Sequence, residues 1–197
     1  MGYALKKSDQ KWTYADYLHW PEGERRELID GAAYTMSPGP NRFHQELSGA
    51  LFNQLYNHLK SRTCKVYAAP FDVRLPDSAG ASDEETETVV QPDIVVVCDP
   101  DKLDERGCKG APDLIVEILS PSTAQHDLKD KFYLYQRVGV KEYWVLHPTD
   151  KTLMVFKLND NGEFGRPEMY VAGDRVALPL LGDLVVDLTE LFPAEKV

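Results

Sequence analysis

"PDLIVEILSPST", residues 112–123, is the stretch whose reading decides the fold. Leu114, Ile115, Val116, Ile118 and Leu119 form an apolar run without polar alternation, which is the pattern of a strand covered on both faces. Glu117 interrupts it. An unpaired ionised carboxylate in a dry sheet costs far more than β-propensity returns, so the fold must place a cation or a water-filled cleft beside this residue.

The flanking sequence offers both. "DIVVVCD", introduced by Pro92, reads as a second short and almost wholly apolar strand, and it opens on Asp93. If the two strands are neighbours, the two carboxylates converge on one point of the sheet. Acids that close raise each other's pKa unless a cation stands between them, and hard oxygen donors of this kind suit Mg²⁺ or Mn²⁺. On the other side, "SPSTAQHDLKDKFYLYQRVGV" supplies hydroxyl caps, a helix with Leu128, Phe132 and Tyr135 on its buried face, and Gly139 as its stop. Lys131 falls at the edge of that stripe, whereas Lys129 and Asp130 turn to solvent. An inward lysine beside two inward acids is a charge-balanced polar cluster of the kind that marks functional sites.

Further out, Thr13 and Asp16 in "WTYADYLHWP" form a capping-box pattern for a short helix that ends before Pro21. "RRELIDGAAYTM" reads as a hairpin turning at Asp30-Gly31, with Glu27 at its start. After the "SPGPN" breaker, Phe43, Leu47, Leu51, Phe52, Leu55 and Leu59 recur at helical spacing and predict the longest helix. "KVYAAPFDVRL" reads as one strand with an irregularity at Pro70, followed by an exposed acidic loop holding Asp83, Glu84, Glu85 and Glu87. "EYWVLH", "TLMVFKL" and "MYVAGDRVAL" read as further strands, and "DLTELF" as a last short helix. Tyr133, Tyr143 and Trp144 are assigned to packing, and Asp113 to capping the loop before its strand.

The 197 residues, 43% hydrophobic and 27% charged, suit one globular domain spanning 1–197, with a central mixed sheet between helices in an α+β arrangement. No run approaches the length of a membrane-spanning helix, and "MGYALKKSDQKW" lacks the apolar segment of a secretory leader, so a cytoplasmic protein is expected. Cys64, Cys98 and Cys108, an odd number without a CxxC pair, are expected to be buried free thiols. A net charge of −10 repels nucleic acid on average, and the basic clusters Lys60, Arg62, Lys65 and Lys102, Arg106, Lys109 read as solvated surface.

Pro92-Asp93, then Glu117 on a following strand, then a nearby lysine, is the order of the PD-(D/E)xK nuclease fold. "ELIDG", "SPGPNRFHQELSGALFNQLYNHL", "FDVRL", "QPDIVVVCD", "GAPDLIVEILSPST" and "DLKDKFYLYQRVGVKEYWVLHP" together resemble the bacterial restriction endonuclease family often called Uma-type. The resemblance runs from about Trp12 to Leu191 and is most specific from Gln91 to Pro148. It implies a restriction endonuclease-like fold with an N-terminal hairpin and extra C-terminal strands, and a metal-dependent endonuclease acting on DNA in restriction or defence. The superfamily lysine ordinarily stands two residues after the acid, where this chain has Leu119. The resemblance therefore moves the role to Lys131 on the helix, in agreement with the helical-face argument. It also matches Glu27 to an acid that helps hold metal, and His44 and Gln91 to supporting positions.

Phosphodiester hydrolysis needs a divalent ion to neutralise the phosphate and acidify the attacking water. Asp93 and Glu117, with Glu27, would ligate Mg²⁺ or Mn²⁺, and Lys131 would orient the water or stabilise the transition state. Superfamily members often dimerise so that two sites cut two strands, which makes a homodimer the expected assembly. A nucleic-acid-binding module without catalysis and an interaction scaffold on the same fold are the competing readings.

Overall fold

The structure is a computed structural model that describes residues 4–5, 11–21, 25–36, 39–78, 80–121 and 123–192. Ser37 and Pro38 of the breaker, Ser122 among the helix caps, and most of the first ten residues lie outside the described residues.

The Glu117 strand, Leu114–Ile118, sits inside a six-stranded sheet in the order Glu168–Val171, Thr152–Lys157, Glu142–His147, Leu114–Ile118, Ile94–Val97, Lys65–Ala68. Leu114–Ile118 pairs in parallel with Glu142–His147 and antiparallel with Ile94–Val97, and every one of its residues is buried. The period of two along a strand explains the absence of alternation. Leu114, Val116 and Ile118 face a layer built by the helix Arg42–Leu59 through Leu47, Leu51, Leu55 and Leu59, together with the C-terminal hairpin Arg175–Leu178/Leu184–Asp187. Ile115 faces the opposite layer with Val95, Val97, Leu134, Tyr135 and Tyr143. Both faces are covered, so neither tolerates alternation with polar residues.

The long helix starts at Asn41, whose side chain accepts from the His44 N–H at 2.9 Å, and the short helix Tyr14–Tyr17 carries the expected Thr13/Asp16 capping box. The other helix begins as a π-helical turn, His126–Lys131, and continues as Phe132–Val138, ending at Gly139 with φ 86°. A π turn rotates side chains differently from the 3.6-residue period. Leu128 is therefore exposed rather than buried, and the turned-in face carries Asp127, Lys131, Leu134 and Tyr135. Tyr133 is also exposed, whereas Tyr143 and Trp144 are packed as expected.

A second, more irregular sheet of seven strands holds the hairpin Arg26–Ile29/Ala32–Thr35. Asp30 and Gly31 both have positive φ, 51° and 79°, as a tight two-residue turn requires. A Cβ at Gly31 would lie 2.5 Å from Lys11 Cβ. Gly31→Ala combines that clash with left-handed backbone, and a loss of about 1–2 kcal/mol or more is expected in chemical denaturation.

Two predicted strands are each divided. "KVYAAPFDVRL" becomes Lys65–Ala68 in the first sheet and Val73–Arg74 in the second, because Pro70 has no N–H to continue the ladder. "MYVAGDRVAL" becomes Glu168–Val171 and Arg175–Leu178, separated by a turn at Gly173 (φ 95°). The acidic loop is less exposed than expected: Thr86 and Thr88 are buried, Asp83 pairs with Arg106 at 2.6 Å, and Glu87 pairs with Lys11. The cysteine expectation is corrected as well. Lys65 pairs with Val97, so the residues flanking those strands, Cys64 and Cys98, face each other and form a disulfide, leaving only Cys108 as a buried free thiol among the described residues.

Candidate functional site

The register Leu114↔Val96, Ile115↔Val95, Val116↔Ile94 continues to Glu117 opposite Asp93. By the same alternation Glu117 shares the face of Val95, Val97 and Ile115, the face covered by the helix that carries Lys131, while Asp93 stands just before its strand. Asp93 Oδ2 accepts the Ile118 N–H at 2.8 Å and lies 3.2 Å from His44 Nε2. The long helix thus delivers His44 to one acid, and the strand backbone fixes the other side of it.

Lys131 reaches the centre. Its Nζ donates to Glu117 Oε1 at 3.0 Å and to Glu27 Oε1 at 2.9 Å, with Asp127 Oδ1 at 3.7 Å. All four side chains are almost fully buried, none more than 6% exposed. Asp127 and Lys131 stand four residues apart on the same turned-in face. Glu27 arrives from the second sheet on the strand Arg26–Ile29, so the cluster ties the two sheets to the helix.

Glu117 and Glu27 are each held by a further donor. Tyr135 OH donates to Glu117 Oε1 at 2.8 Å, and the Gln91 backbone N–H donates to Glu27 Oε1 at 2.8 Å. The Gln91 side chain is itself clamped, donating to Asp72 Oδ1 at 2.8 Å and to Tyr17 OH at 3.0 Å while accepting from Arg25. Tyr143 OH donates to the Asp127 carbonyl at 3.0 Å.

Three buried carboxylates share one ammonium, and the titration behaviour follows. Burial, with the neighbouring Asp127, Asp93 and Glu27 charges, lifts the Glu117 pKa well above the usual carboxylate value against the pull of Lys131. Burial also raises Asp127. Burial acts to lower Lys131, but the Glu117, Glu27 and Asp127 charges overcome it and hold the ammonium well above its ordinary value. For His44 burial again acts downward, and the hydrogen bond and charge of Asp93 outweigh it. The cluster holds three carboxyl groups against one ammonium, a surplus of acids.

The excess faces a cleft of about 1010 Å³. Its wall holds the acids Glu27, Asp93, Glu117, Asp127 and Asp130 against the cations Arg25 and Lys131. Each of three acids commits one oxygen and keeps another: among the described residues Glu27 Oε2, Glu117 Oε2 and Asp93 Oδ1 accept no hydrogen bond. Hard oxygens in surplus, with spare lone pairs, are the donor chemistry of a Mg²⁺ or Mn²⁺ site, and the residues fit such an ion in kind. Among the described residues no three acidic, His or Cys side chains already stand in a ligating arrangement, since the Lys131 ammonium draws Glu27 and Glu117 to itself.

The site residues expected from the sequence line one cleft: Lys131 bonds Glu117 and Glu27 directly, Asp93 stands on the same wall held by His44 and the Ile118 N–H, and the Gln91 N–H supports Glu27. Asp113 is apart, accepting the Cys98 N–H at 2.7 Å and pairing with Lys141 at 2.6 Å, which is a structural role. Sequence reasoning missed Asp127, His126 and Asp130, and treated Tyr135 as packing only. The i, i+4 spacing of Asp127 to Lys131 and of His126 to Asp130 was the available signal.

The chain is 29% identical over 175 residues, 87% of either chain, to the uncharacterized protein slr1290 of Synechocystis sp. (strain ATCC 27184 / PCC 6803 / Kazusa). Its fold is shared, at a TM-score of 0.71 and 20% identity over 91% of this chain and 97% of the other, with the crystal structure of a protein described as "a putative nuclease belonging to DUF820" from Anabaena variabilis ATCC 29413. This is the restriction endonuclease-like α+β fold. Residues 14–189 match the model of the Uma2 family, described as "Putative restriction endonuclease", and the chain belongs to that family.

Proposed function

We propose that the protein is a divalent-metal-dependent endonuclease that hydrolyses phosphodiester bonds of DNA. One observation carries the reading: Glu27 and Glu117 are pinned on Lys131 while Asp93 stands opposite Glu117, each acid keeping a spare oxygen at the wall of a common cleft. The family's description and that of the DUF820 protein of the same fold support it.

Asp93 and Glu117 would hold the ion, with Glu27 completing the set. Bound there, Mg²⁺ or Mn²⁺ supplies neutralisation of phosphate charge and a water acidic enough to attack at neutral pH. The rest falls to the chain. His44 and the Ile118 N–H fix Asp93, Tyr135 fixes Glu117, and the Gln91 N–H fixes Glu27. Lys131 has three N–H donors, of which Glu27 and Glu117 take one each, leaving a third for the attacking water or a phosphate oxygen. With acids outnumbering cations along the cleft, its own charge repels a phosphodiester until the surplus is neutralised, which orders metal before DNA.

A binding module without catalysis gains nothing from the basic clusters. Arg62 is spent on Asp183, Arg106 on Asp83, and Lys102 and Lys109 on the Ala111 and Ala81 carbonyls. A restriction role accords with the family's description, and no helix among the described residues is long and apolar enough to cross a membrane.

The test is incubation of the purified protein with supercoiled plasmid and with single-stranded DNA in Mg²⁺ or Mn²⁺. Nicking or cutting that stops in EDTA is expected; intact substrates under every metal condition would overturn the proposal.

A further inference from the structure

His126 lines the same cleft and takes no part in the roles above. Its Nδ1 lies 2.9 Å from Asp130 Oδ2, and its ring packs tilted against Tyr34 with centroids 4.7 Å apart. An ionised carboxylate only accepts, so the nitrogen facing Asp130 carries a hydrogen, and that bond turns Nε2 away from Asp130 toward Glu27. That Nε2 is a buried atom without a hydrogen-bond partner. It stands 4.0 Å from Glu27 Oε2, the oxygen of Glu27 that neither Lys131 nor the Gln91 N–H uses. A ring nitrogen without a hydrogen-bond partner and an uncommitted carboxylate oxygen thus face each other across 4.0 Å at the edge of the acid cluster. The Glu27 side chain is 4% exposed, so little water reaches that oxygen. A carboxylate that orients an imidazole whose other nitrogen points at a carboxylate oxygen is the outer arrangement found around metal-bound histidines.

We propose that His126 Nε2 and Glu27 Oε2 together hold a divalent transition ion of the Mn²⁺ class, with Asp130 positioning the imidazole. The inference rests on the metal-dependent reading of the acid cluster and adds to it a nitrogen ligand. Such a ligand favours Mn²⁺ or Co²⁺ over Mg²⁺, whereas a site of oxygens alone does not.

The test uses Mn²⁺ alone, without DNA. Binding is followed by loss of the free-Mn²⁺ electron paramagnetic resonance signal, and the bound ion is examined by pulsed measurement for nitrogen-14 modulation. His126→Phe keeps a ring against Tyr34 but offers no nitrogen; Asp130→Asn changes an exposed residue and only loosens the imidazole. The wild type is expected to show nitrogen modulation. His126→Phe should lose it and bind Mn²⁺ on the order of 100-fold more weakly with little change for Mg²⁺, and Asp130→Asn should weaken Mn²⁺ about tenfold, the scale of an outer partner. Mn²⁺ bound equally by wild type and His126→Phe, without nitrogen modulation, would overturn this inference and leave the metal-dependent reading standing. No Mn²⁺ binding by any of the three proteins would overturn both.

Discussion

Lys131→Met is expected to be the most destabilising single change in the site, costing about 3–5 kcal/mol, the usual penalty for removing one partner of a buried ion cluster. Among the described residues the ammonium is the only cation within hydrogen-bond distance of Glu27 and Glu117, and Asp127 is 3.7 Å away. Without it three buried carboxylates face one another. At roughly 2–4 °C per kcal/mol for a chain of this size, thermal unfolding should fall by about 10 °C at pH 8. The pH dependence identifies the cause. In the wild type the Lys131 pKa is raised, so its contribution is fully present throughout the neutral range and is lost only at strongly alkaline pH. In Lys131→Met, Glu117 and Asp127 can relieve the repulsion only by taking up protons, so the deficit should shrink as pH falls from 8 towards 5. A deficit independent of pH would mean that lost packing, not charge, is responsible. Lys131→Arg is expected to recover little, because the planar fork does not fit where a point charge bridges two carboxylates.

The second large effect concerns Glu117→Gln, which should move activity and stability in opposite directions. Gln keeps an acceptor for Tyr135 and Lys131 but carries no charge, so metal-dependent cleavage should fall on the order of 100-fold or more, beyond the 10–100-fold typical of outer partners. Stability in EDTA should rise. The folded pKa of Glu117 lies well above its unfolded value, so between the two the folded state binds more protons and wild-type stability declines as pH rises. Removing the group flattens that decline. Glu117→Gln should therefore unfold a few °C above wild type at pH 8, the size that about 1 kcal/mol produces in a domain of this length, and close to wild type near pH 4.5. A variant less stable than wild type at pH 8 would show that Glu117 is held ionised for structural reasons alone. Function retained at a cost in stability is what a built site requires.

Much of this was legible in the sequence because a charge inside an apolar run has few explanations. Glu117 and Asp93 were found by that conflict, and the register of two strands made them partners. Lys131 was found by helical spacing even though the turn that carries it is π rather than α; Leu128, three residues earlier, was misplaced by the same assumption of a 3.6-residue period. The hairpin at Asp30-Gly31 and the long helix followed from turn chemistry and periodicity, both local signals. What the sequence hid was long-range. Cys64 and Cys98 are 34 residues apart and meet only because their strands pair. The passage of the chain from one sheet to the other around Pro70 is likewise a tertiary event that a single predicted strand cannot express.

The most direct test of the central claim is the single-turnover rate of plasmid nicking in Mn²⁺ by wild type and by Asp93→Asn. Asp93 is the most exposed of the three acids assigned to the ion, 21% on its side chain, and Asn can still accept the Ile118 N–H, so the variant should fold with an unchanged melting temperature. The wild type should nick DNA and Asp93→Asn should be at least about 100-fold slower, in line with loss of a metal-holding group. A well-folded Asp93→Asn that nicks as fast as wild type would place the chemistry elsewhere and contradict the account.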